Sequence, residues 1–585
     1  MLDFLNRLQR RLGLRTDPVI FFTAAALTFV FVATTIAFTD TVDSVFGTAS
    51  EWLKRNLGWF YILGVTVFLV FLIWIALSRY GHVRLGDQDS EPEYSNRAWF
   101  GMLFAAGIGT ILMFWGVAEP ISHFAEPPRS GVEPESVEAA EMAMGYSLYH
   151  FGLHTWTIFC LPALAFAYFV HRRGLPFRVS SILQPILGDR IHGPMGKIVD
   201  TTAVLGTLFG VAVSIGLGTM QINSGLAELF GLPENRLVQI GIITVVTAIA
   251  TVSVASGLDK GIKRLSNLNI GMAIALMLFV FVTGSTLFLA RGIIETTGTY
   301  LSWLVPLSFW NDTFGNTGWQ GNWTVFYWAW TISWSPFVGI FIARISKGRT
   351  IRDFVFGVLA LPTAFTIVWF SIFGLSAIDL QMNGDADLVG EVVEQNDIPG
   401  ALFAFLEAFP LATFVSAVSV LIVVIFFTTS SDSASLVVDM LCVGSEEQES
   451  PTRQRIFWAV TEGVVAGTLI AATGTGGLTA LEQVIIVVGL PFFVLAFMMM
   501  YAIRRGLQED FPELGGPPES LLRRESVQVK RRAVTRKAGQ TRQKAAQLRR
   551  RASGGGNGGR ENGADGIGGG AGGTGQGPAE RQDDS

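Results

Sequence analysis

Charged residues are scarce in this sequence. Asp, Glu, Lys and Arg make up 15% of its 585 residues, and hydrophobic residues make up 50%. Soluble domains carry about 25% charged residues, so this composition excludes a chain built only of soluble domains. Cysteine is rarer still, because only Cys160 and Cys442 occur, both within apolar runs. Two such residues cannot form a disulfide framework, and we expect both to be buried.

Catalytic motifs are also missing. The sequence has no zinc motif, no phosphate-binding loop and no combination of Cys and His typical of a nucleophile. Among six histidines, His150 and His154 lie four residues apart, but no third metal ligand accompanies them, so helix packing is the favoured explanation. We therefore expect no enzyme, no cofactor, no metal beyond a transported ion, and no nucleic-acid partner.

Long apolar runs dominate the sequence instead. About 20 apolar residues in a helix cross the roughly 30 Å hydrocarbon core of a membrane, and runs of this length indicate helices rather than a barrel. The runs cover residues 19–38, 58–78, 98–118, 142–170, 198–229, 237–256, 265–290, 323–345, 353–376, 408–440, 455–474 and 481–503. The sequence therefore predicts an all-α integral membrane protein with about twelve transmembrane helices.

The loops between these runs alternate in charge. The basic segment 1–18 begins the series, every second loop after it is basic, and the loops after the third and ninth runs are acidic. Basic loops remain on the cytoplasmic side of a membrane. The pattern predicts a multi-pass protein of a prokaryotic plasma membrane with both termini in the cytoplasm.

The carboxyl-terminal part has a different composition. Residues 505–552 are rich in Lys and Arg and are predicted to form a cytoplasmic helical tail. This segment either binds anionic membrane lipid or serves only as a topology signal. Residues 553–585 are rich in Gly and predicted to be disordered.

Two runs contain residues that interrupt helices. The third run contains Gly107 and Gly109, which weaken a helix. The eighth contains Pro336, which lacks a backbone donor. The two runs lie five helices apart, as expected for an inverted-repeat transporter whose site lies where the broken helices meet. Gly and Pro are also common in ordinary membrane helices, which is the alternative explanation.

Aromatic residues follow one face of the eighth run, namely Tyr327, Trp330, Trp334, Phe337 and Phe341. Trp330 and Trp334 lie deeper than the interfacial belts in which tryptophan usually collects. A trimethylammonium group donates no ordinary hydrogen bond and binds best to aromatic faces. The cluster therefore favours a quaternary-ammonium site over simple core packing.

Hydroxyl residues form an unusual run in the tenth apolar stretch, where Thr428, Thr429, Ser430 and Ser431 precede Asp432. Hydroxyl and carbonyl oxygens suit a cation such as sodium. They can instead bond to their own helix, which is the structural alternative. Asp432 is either a carboxylate within the span, where such groups are functional by default, or a residue at its cytoplasmic rim.

Together these motifs resemble the betaine–choline–carnitine transporter family. The resemblance extends over nearly all of residues 15–505, and residues 105–120, 322–346 and 426–435 carry it most specifically. It implies a LeuT-like five-plus-five inverted repeat preceded by two extra helices, a homotrimer, and ion-coupled uptake of a compatible solute. The implied divisions are two peripheral helices in 19–97, a first repeat in 98–290, an extracellular connecting segment in 291–322, and a second repeat in 323–504.

The resemblance also assigns residues to a substrate cage. Trp330, Trp334 and Trp156 match caging tryptophans of the family, and Phe337 shares the face of the first two. Two further positions depart from the family, because Phe151 and Phe159 replace a tryptophan and a tyrosine. The implied cage is similar to that of the family but less polar.

Ion sites follow from the same resemblance. For a first sodium ion, Thr429 and Ser430 match the hydroxyl ligands, and the expected carbonyl ligands belong to Ala105, Ile108 and Phe426. Thr207 and Phe337 match a second sodium site, but Val211 replaces a threonine ligand there. Coupling to sodium or to protons therefore stays open.

Ile111 bears on the choice of substrate. Choline carriers of the family have an aspartate at this position, and betaine carriers tend to have a glycine. Isoleucine offers no countercharge to a bare cation, whereas the carboxylate of glycine betaine can bind backbone donors at a broken helix. We expect glycine betaine first, choline second, and carnitine or ectoine after them. A non-transporting membrane osmosensor is the alternative from another class.

Overall fold

The computed structural model describes residues 2–107, 109–256, 259–443, 451–472 and 477–515. Helices make up most of these ranges, which contain no β-strand and only one isolated bridge, between Arg84 and Thr350. The predicted all-α class is confirmed. Most of the predicted basic tail and all of the Gly-rich tail, residues 516–585, lie outside the described residues.

The helices alternate with short loops along the whole described chain. The first part contains α1 (Leu2–Leu12), α2 (Pro18–Ala37), α3 (Thr39–Leu77), α4 (Asn96–Gly107), α5 (Thr110–Ala125), α6 (Val137–Phe151), α7 (Leu153–Phe166), α8 (Val179–Ile182), α9 (Gln184–Leu187), α10 (Pro194–Phe230), α11 (Arg236–Ser256) and α12 (Asp259–Thr283). The second part contains α13 (Thr286–Phe309), α14 (Phe326–Arg344), α15 (Ile351–Asn383), α16 (Ala401–Glu407), α17 (Ala412–Val443), α18 (Thr452–Ala472), α19 (Gly477–Asp510) and α20 (Pro512–Gly515). Short π-helical turns cover Ala167–Arg172, Gly321–Val325 and Gly390–Glu394.

Among the described residues, eleven helical segments are long and apolar enough to cross a membrane. They match eleven of the predicted runs. The third run is divided between α4, of 12 residues, and α5, of 16 residues. Neither half reaches the length that crosses a membrane alone. The chain is thus a multi-pass membrane protein, and the count of twelve crossings stays a prediction.

Two helices extend beyond the predicted runs. Helix α3 begins at Thr39 rather than near residue 58, and α13 occupies much of the segment 291–322 that was expected only to connect the repeats. Both additions mix polar and apolar residues, so an apolar run does not reveal them. In α13, Leu289 and Leu307 are fully buried while Ile294 is exposed, so one face of the helix packs against the protein and the other carries apolar residues on the outer surface.

Helix α14 lies at the centre of the packing and contacts α7, α10 and α19. These contacts depend on residues without side chains. A Cβ atom added at Gly339 would lie 3.2 Å from the backbone nitrogen of Ala163, and one at Gly489 would lie 2.6 Å from the carbonyl oxygen of Ala329. Small residues allow membrane helices to approach this closely.

We expect Gly489→Ala to lower the melting temperature of the purified protein, because the new methyl group would push α19 away from the backbone of α14. Overpacking of this kind costs about 1–3 kcal/mol. Gly467→Ala is the matched control, since its Cβ would meet no atom within 4 Å. Alanine also favours helix over glycine there. Equal melting temperatures for the two variants would contradict the close approach of α14 and α19.

Candidate functional site

A cavity of about 320 Å³ lies between α5, α7, α14 and α17. Its volume falls at the lower end of the range for small-molecule sites, about 300–1,000 Å³. All six residues predicted to surround the substrate line it, namely Phe151, Trp156, Phe159, Trp330, Trp334 and Phe337. The structure thus brings the predicted cage together, and the binding role of each residue stays a prediction.

The two tryptophans of α14 are tethered to α10. The Trp330 Nε1–H donates to the Ser214 hydroxyl at 2.9 Å, and the Trp334 Nε1–H donates to the Gly210 carbonyl at 2.9 Å. A Cβ atom at Gly210 would lie 3.1 Å from the Trp334 ring, so the small residue permits this approach. The orientations of both rings are therefore fixed by α10 before any ligand enters.

The remaining cage rings are supported by other aromatic rings. Phe151 stacks on Phe370 with ring centroids 4.7 Å apart, and Trp156 meets Phe159 edge-on at 5.6 Å. Trp334 meets Phe337 edge-on at 5.4 Å. Each such aromatic pair contributes about 0.5–1.5 kcal/mol of stabilisation beyond that from burying the surface of the two rings. The lining is therefore a rigid aromatic surface.

The third predicted run is interrupted at the cavity. Helix α4 ends at Gly107, and α5 begins at Thr110 after Gly109, whose backbone is extended. Gly109, Ile111 and Leu112 line the cavity, so the first turn of α5 borders it. A helix amino terminus carries partial positive charge and unpaired N–H groups, which suit a carboxylate. Ile108 lies outside the described residues.

The second interruption is not where the sequence placed it. Helix α14 continues through Pro336 from Phe326 to Arg344. A proline within a membrane helix is tolerated when its surroundings satisfy the freed carbonyl. The chain instead breaks at Gly152, between α6 and α7.

Tyr300 stabilises the break at Gly152. The backbone N–H of Leu153 donates to the Tyr300 hydroxyl at 2.9 Å. A Cβ atom at Gly152 would lie 2.5 Å from the same hydroxyl oxygen, so glycine is required there. Phe151 and Thr155, on either side of the break, both line the cavity. One glycine among 65 gave no signal in the sequence.

The hydroxyl residues of α17 are divided between two surroundings. Phe426, Thr429 and Ser430 line the cavity, and the Thr429 hydroxyl donates to its own helix, to the Ile425 carbonyl at 2.9 Å. Ser431 points elsewhere and donates to Glu462 of α18 at 2.9 Å. The structural alternative thus holds for Thr429, whose oxygen lone pairs nevertheless remain available to a cation.

The other predicted ion ligands are less informative. Ala105 belongs to α4, in a stretch whose side chains are outside the described set. Thr207 is fully buried in α10 and does not line the cavity, and neither does Val211. The second sodium site therefore stays a prediction without support from the cavity.

His150 and His154 do not form a metal pair. His150 contacts Glu119 and Thr324, whereas His154 contacts Ser308. The sequence placed Tyr327 on the aromatic face of the eighth run, but it gave no signal for Glu119, because the histidine that pairs with Glu119 lies on a separate helix.

A bundle of apolar helices around an internal aromatic cavity defines a multi-pass membrane protein of the transporter class. The model of the betaine/carnitine/choline family transporters matches residues 19–512, so the chain belongs to that family. Its members are transporters and not enzymes, which confirms the expected class.

Three relatives illustrate the range of substrates in the family. The chain is 50% identical over 499 residues to the ectoine/glycine betaine/proline transporter EctP of Corynebacterium glutamicum, covering 85% of this chain and 81% of the relative. It is 42% identical over 516 residues to the glycine betaine transporter of Acinetobacter baylyi, covering 88% and 77%. It is 39% identical over 501 residues to the high-affinity choline transport protein of Escherichia coli K12, covering 85% and 73%.

We expect Ser214→Ala to destabilise the protein, because it leaves the buried Trp330 N–H without a partner, at about 1–3 kcal/mol. In a Trp330→Phe background the same substitution should cost much less, because no indole N–H remains to lose its partner and Ser214 then bonds only to the Gly210 carbonyl of its own helix. Melting temperatures of the four proteins measure this difference. Ser419→Ala is the control, because this buried hydroxyl bonds only to the Val415 carbonyl. Equal costs of Ser214→Ala in both backgrounds would contradict the tether.

Proposed function

We propose that this transporter imports glycine betaine by alternating access, driven by a sodium gradient. The observation that carries the proposal is the shared cavity, in which three tryptophans and the amino terminus of α5 line the same space. Aromatic faces bind a trimethylammonium group, and a helix amino terminus binds a carboxylate. The cavity is therefore complementary to both ends of a zwitterion.

The lining supports a zwitterion over a bare cation. Within the described ranges, no Asp or Glu side chain lines the cavity, and Ile111 occupies the position beside the α5 amino terminus. Choline would have to bind without a countercharge, which favours glycine betaine over it. Two of the three relatives above carry glycine betaine in their names, in agreement with this preference.

Sodium is the coupling ion that we propose, through Thr429 and Ser430, which line the same cavity as the proposed solute site. Hydroxyl oxygens suit this ion, and a shared cavity lets ion and solute bind together. A proton-coupled choline transporter is the second candidate, favoured by Val211 in place of a threonine.

The extent of the cavity also supports an orientation of the protein in the membrane. Its lining follows α14 from Tyr327 to Arg344, about 25 Å along the helix axis. Beyond Arg344 the loop is basic, with Lys347 and Arg349. Since basic loops face the cytoplasm, we propose a cavity that extends toward the cytoplasm and a plasma-membrane protein with both termini inside. A homotrimer and binding of anionic lipid by the basic tail are further proposals from the sequence.

Uptake into proteoliposomes tests the function directly. Radiolabelled glycine betaine, choline and ectoine are supplied in parallel, with an inward sodium gradient or an inward proton gradient. We expect uptake of glycine betaine that requires sodium. Uptake of choline driven by protons alone would replace the proposal with the second candidate, and an absence of glycine betaine flux under every gradient would refute it.

We expect Trp334→Ala to weaken binding of glycine betaine about 30-fold, because a desolvated cation–π contact contributes about 2 kcal/mol. Trp334→Phe should retain most of the affinity, since it keeps an aromatic face. Trp59→Ala is the control, because that residue is 54% exposed on α3 and does not line the cavity. Wild-type affinity in Trp334→Ala, measured with labelled ligand, would show that the ring only packs.

A further inference from the structure

Three ionisable side chains form a buried cluster close to the cavity. Glu119 lies on α5, and its Oε1 atom is 2.6 Å from His150 Nδ1 and 3.2 Å from His123 Nε2. The three residues, called the Glu119 cluster below, are at most 1% exposed. One carboxylate oxygen and one ring nitrogen of each histidine all lie within 4.8 Å of one another, and the shorter distances among them are those of hydrogen bonds.

The Glu119 cluster is connected to the cavity by Tyr327. The rings of His150 and Tyr327 lie 4.9 Å apart, and Tyr327 lines the cavity one helical turn from Trp330. The other edge of His150 bonds to Thr324, with Nε2 and Oγ1 2.9 Å apart. One side chain therefore separates the cluster from the proposed solute site.

Tyr327 is also the neighbour through which the carboxylate reaches the cavity. Its hydroxyl lies close enough to Glu119 to act on it, and within the described part of the chain neither this hydroxyl nor Glu119 Oε2 has a further partner, although both atoms are buried. A buried carboxylate with so few partners is costly when it is charged. A proton on Glu119 would remove the charge of the carboxylate.

The Glu119 cluster can exist in two protonation states that differ by one proton. With each imidazole donating one N–H to Glu119 and remaining neutral, the net charge is −1. One additional proton makes it zero. An isolated charge is expensive in an apolar interior, so the cluster has a strong tendency to bind that proton.

Among the described residues, no Lys or Arg side chain is hydrogen-bonded to the Glu119 cluster. Helix α5 packs against α6, α10, α15, α16, α17 and the turn Gly390–Glu394. The ionisable side chains on those elements are Glu138, Glu141, Tyr146 and Tyr149 of α6, Lys197, Asp200 and Glu228 of α10, Arg352, Asp353 and Asp379 of α15, Glu391 and Glu394 of the turn, Glu407 of α16, and Asp432, Asp439 and Cys442 of α17. Among the described residues, none of them is a hydrogen-bond partner of the Glu119 cluster. Three further ionisable groups lie near it on other helices: Tyr327 of α14 acts on Glu119, His154 of α7 faces His150, and Glu482 of α19 acts on Tyr327.

We propose that Glu119, His123 and His150 form a proton-binding site whose occupancy is linked to solute binding in the cavity through Tyr327. This inference rests on the proposed function of the cavity. The solute carboxylate, at the amino terminus of α5, would lie ten residues from Glu119, about 15 Å along the helix. The ammonium group beside Trp330 is the nearer charge, and it favours the deprotonated state of the cluster. Solute binding therefore releases a proton, and affinity rises with pH.

The experiment measures protons released per mole of bound ligand. Purified wild-type protein in weakly buffered detergent receives glycine betaine or choline, with a pH indicator dye and labelled ligand read together between pH 5 and 8. We expect proton release on binding and an affinity that rises at least about 5-fold across the range, the lower end of typical coupling between sites. Glu119→Gln should abolish both effects, and His123→Gln is a second variant if Glu119→Gln fails to fold.

Glu141→Gln is the matched control, because this exposed carboxylate of α6 lies outside the cluster, and it should behave as the wild type. Binding without proton release in the wild type, or unchanged proton release in Glu119→Gln, would overturn the inference. A stoichiometric metal ion that is lost in Glu119→Gln would also overturn it and assign a structural metal site. Failure of both ligands to bind would instead contradict the proposed function.

Discussion

The demand that buried backbone groups be hydrogen-bonded is the constraint on which this structure depends. In lipid an exposed N–H or carbonyl costs several kcal/mol, so a helix can stop only where protein or a cavity satisfies its ends. The chain stops twice beside the cavity, at Gly109 and at Gly152. At Gly152 the Tyr300 hydroxyl accepts a hydrogen bond from the backbone N–H of Leu153, which the break leaves without a helical partner. At Gly109 the unpaired backbone N–H groups at the start of α5 border the cavity, where a bound ligand could accept their hydrogen bonds.

The same constraint explains why the aromatic rings are rigid. An indole N–H is a buried donor, and α10 supplies an acceptor for each of the two central tryptophans, from Ser214 and Gly210. Those bonds occupy the polar edge of each indole, so Trp330 and Trp334 meet the cavity with their apolar ring surface. A preformed surface of this kind loses little conformational entropy when it binds a ligand.

The sequence predicted what local composition determines. Apolar runs located eleven spans, and helical spacing placed Trp330, Trp334 and Phe337 on one lining. The expected break at Pro336 was wrong, because packing in the bundle tolerates the lost hydrogen bond. The break at Gly152 was missed, since its requirement comes from Tyr300, a residue 148 positions away in the chain. Contacts between distant segments leave no periodic signal.

The separation of Glu119 from the cavity would allow the proposed solute site to respond to protons and still prefer a zwitterion. A carboxylate in the lining would pair with a bare cation and favour choline. Behind Tyr327, Glu119 cannot touch the solute, but its charge acts over a short distance in a medium of low dielectric constant. Its effect then depends on protonation rather than contact. In the proposed arrangement the aromatic lining binds the ammonium group, the α5 amino terminus binds the carboxylate, and the protonation of the cluster changes how strongly the ammonium group is held.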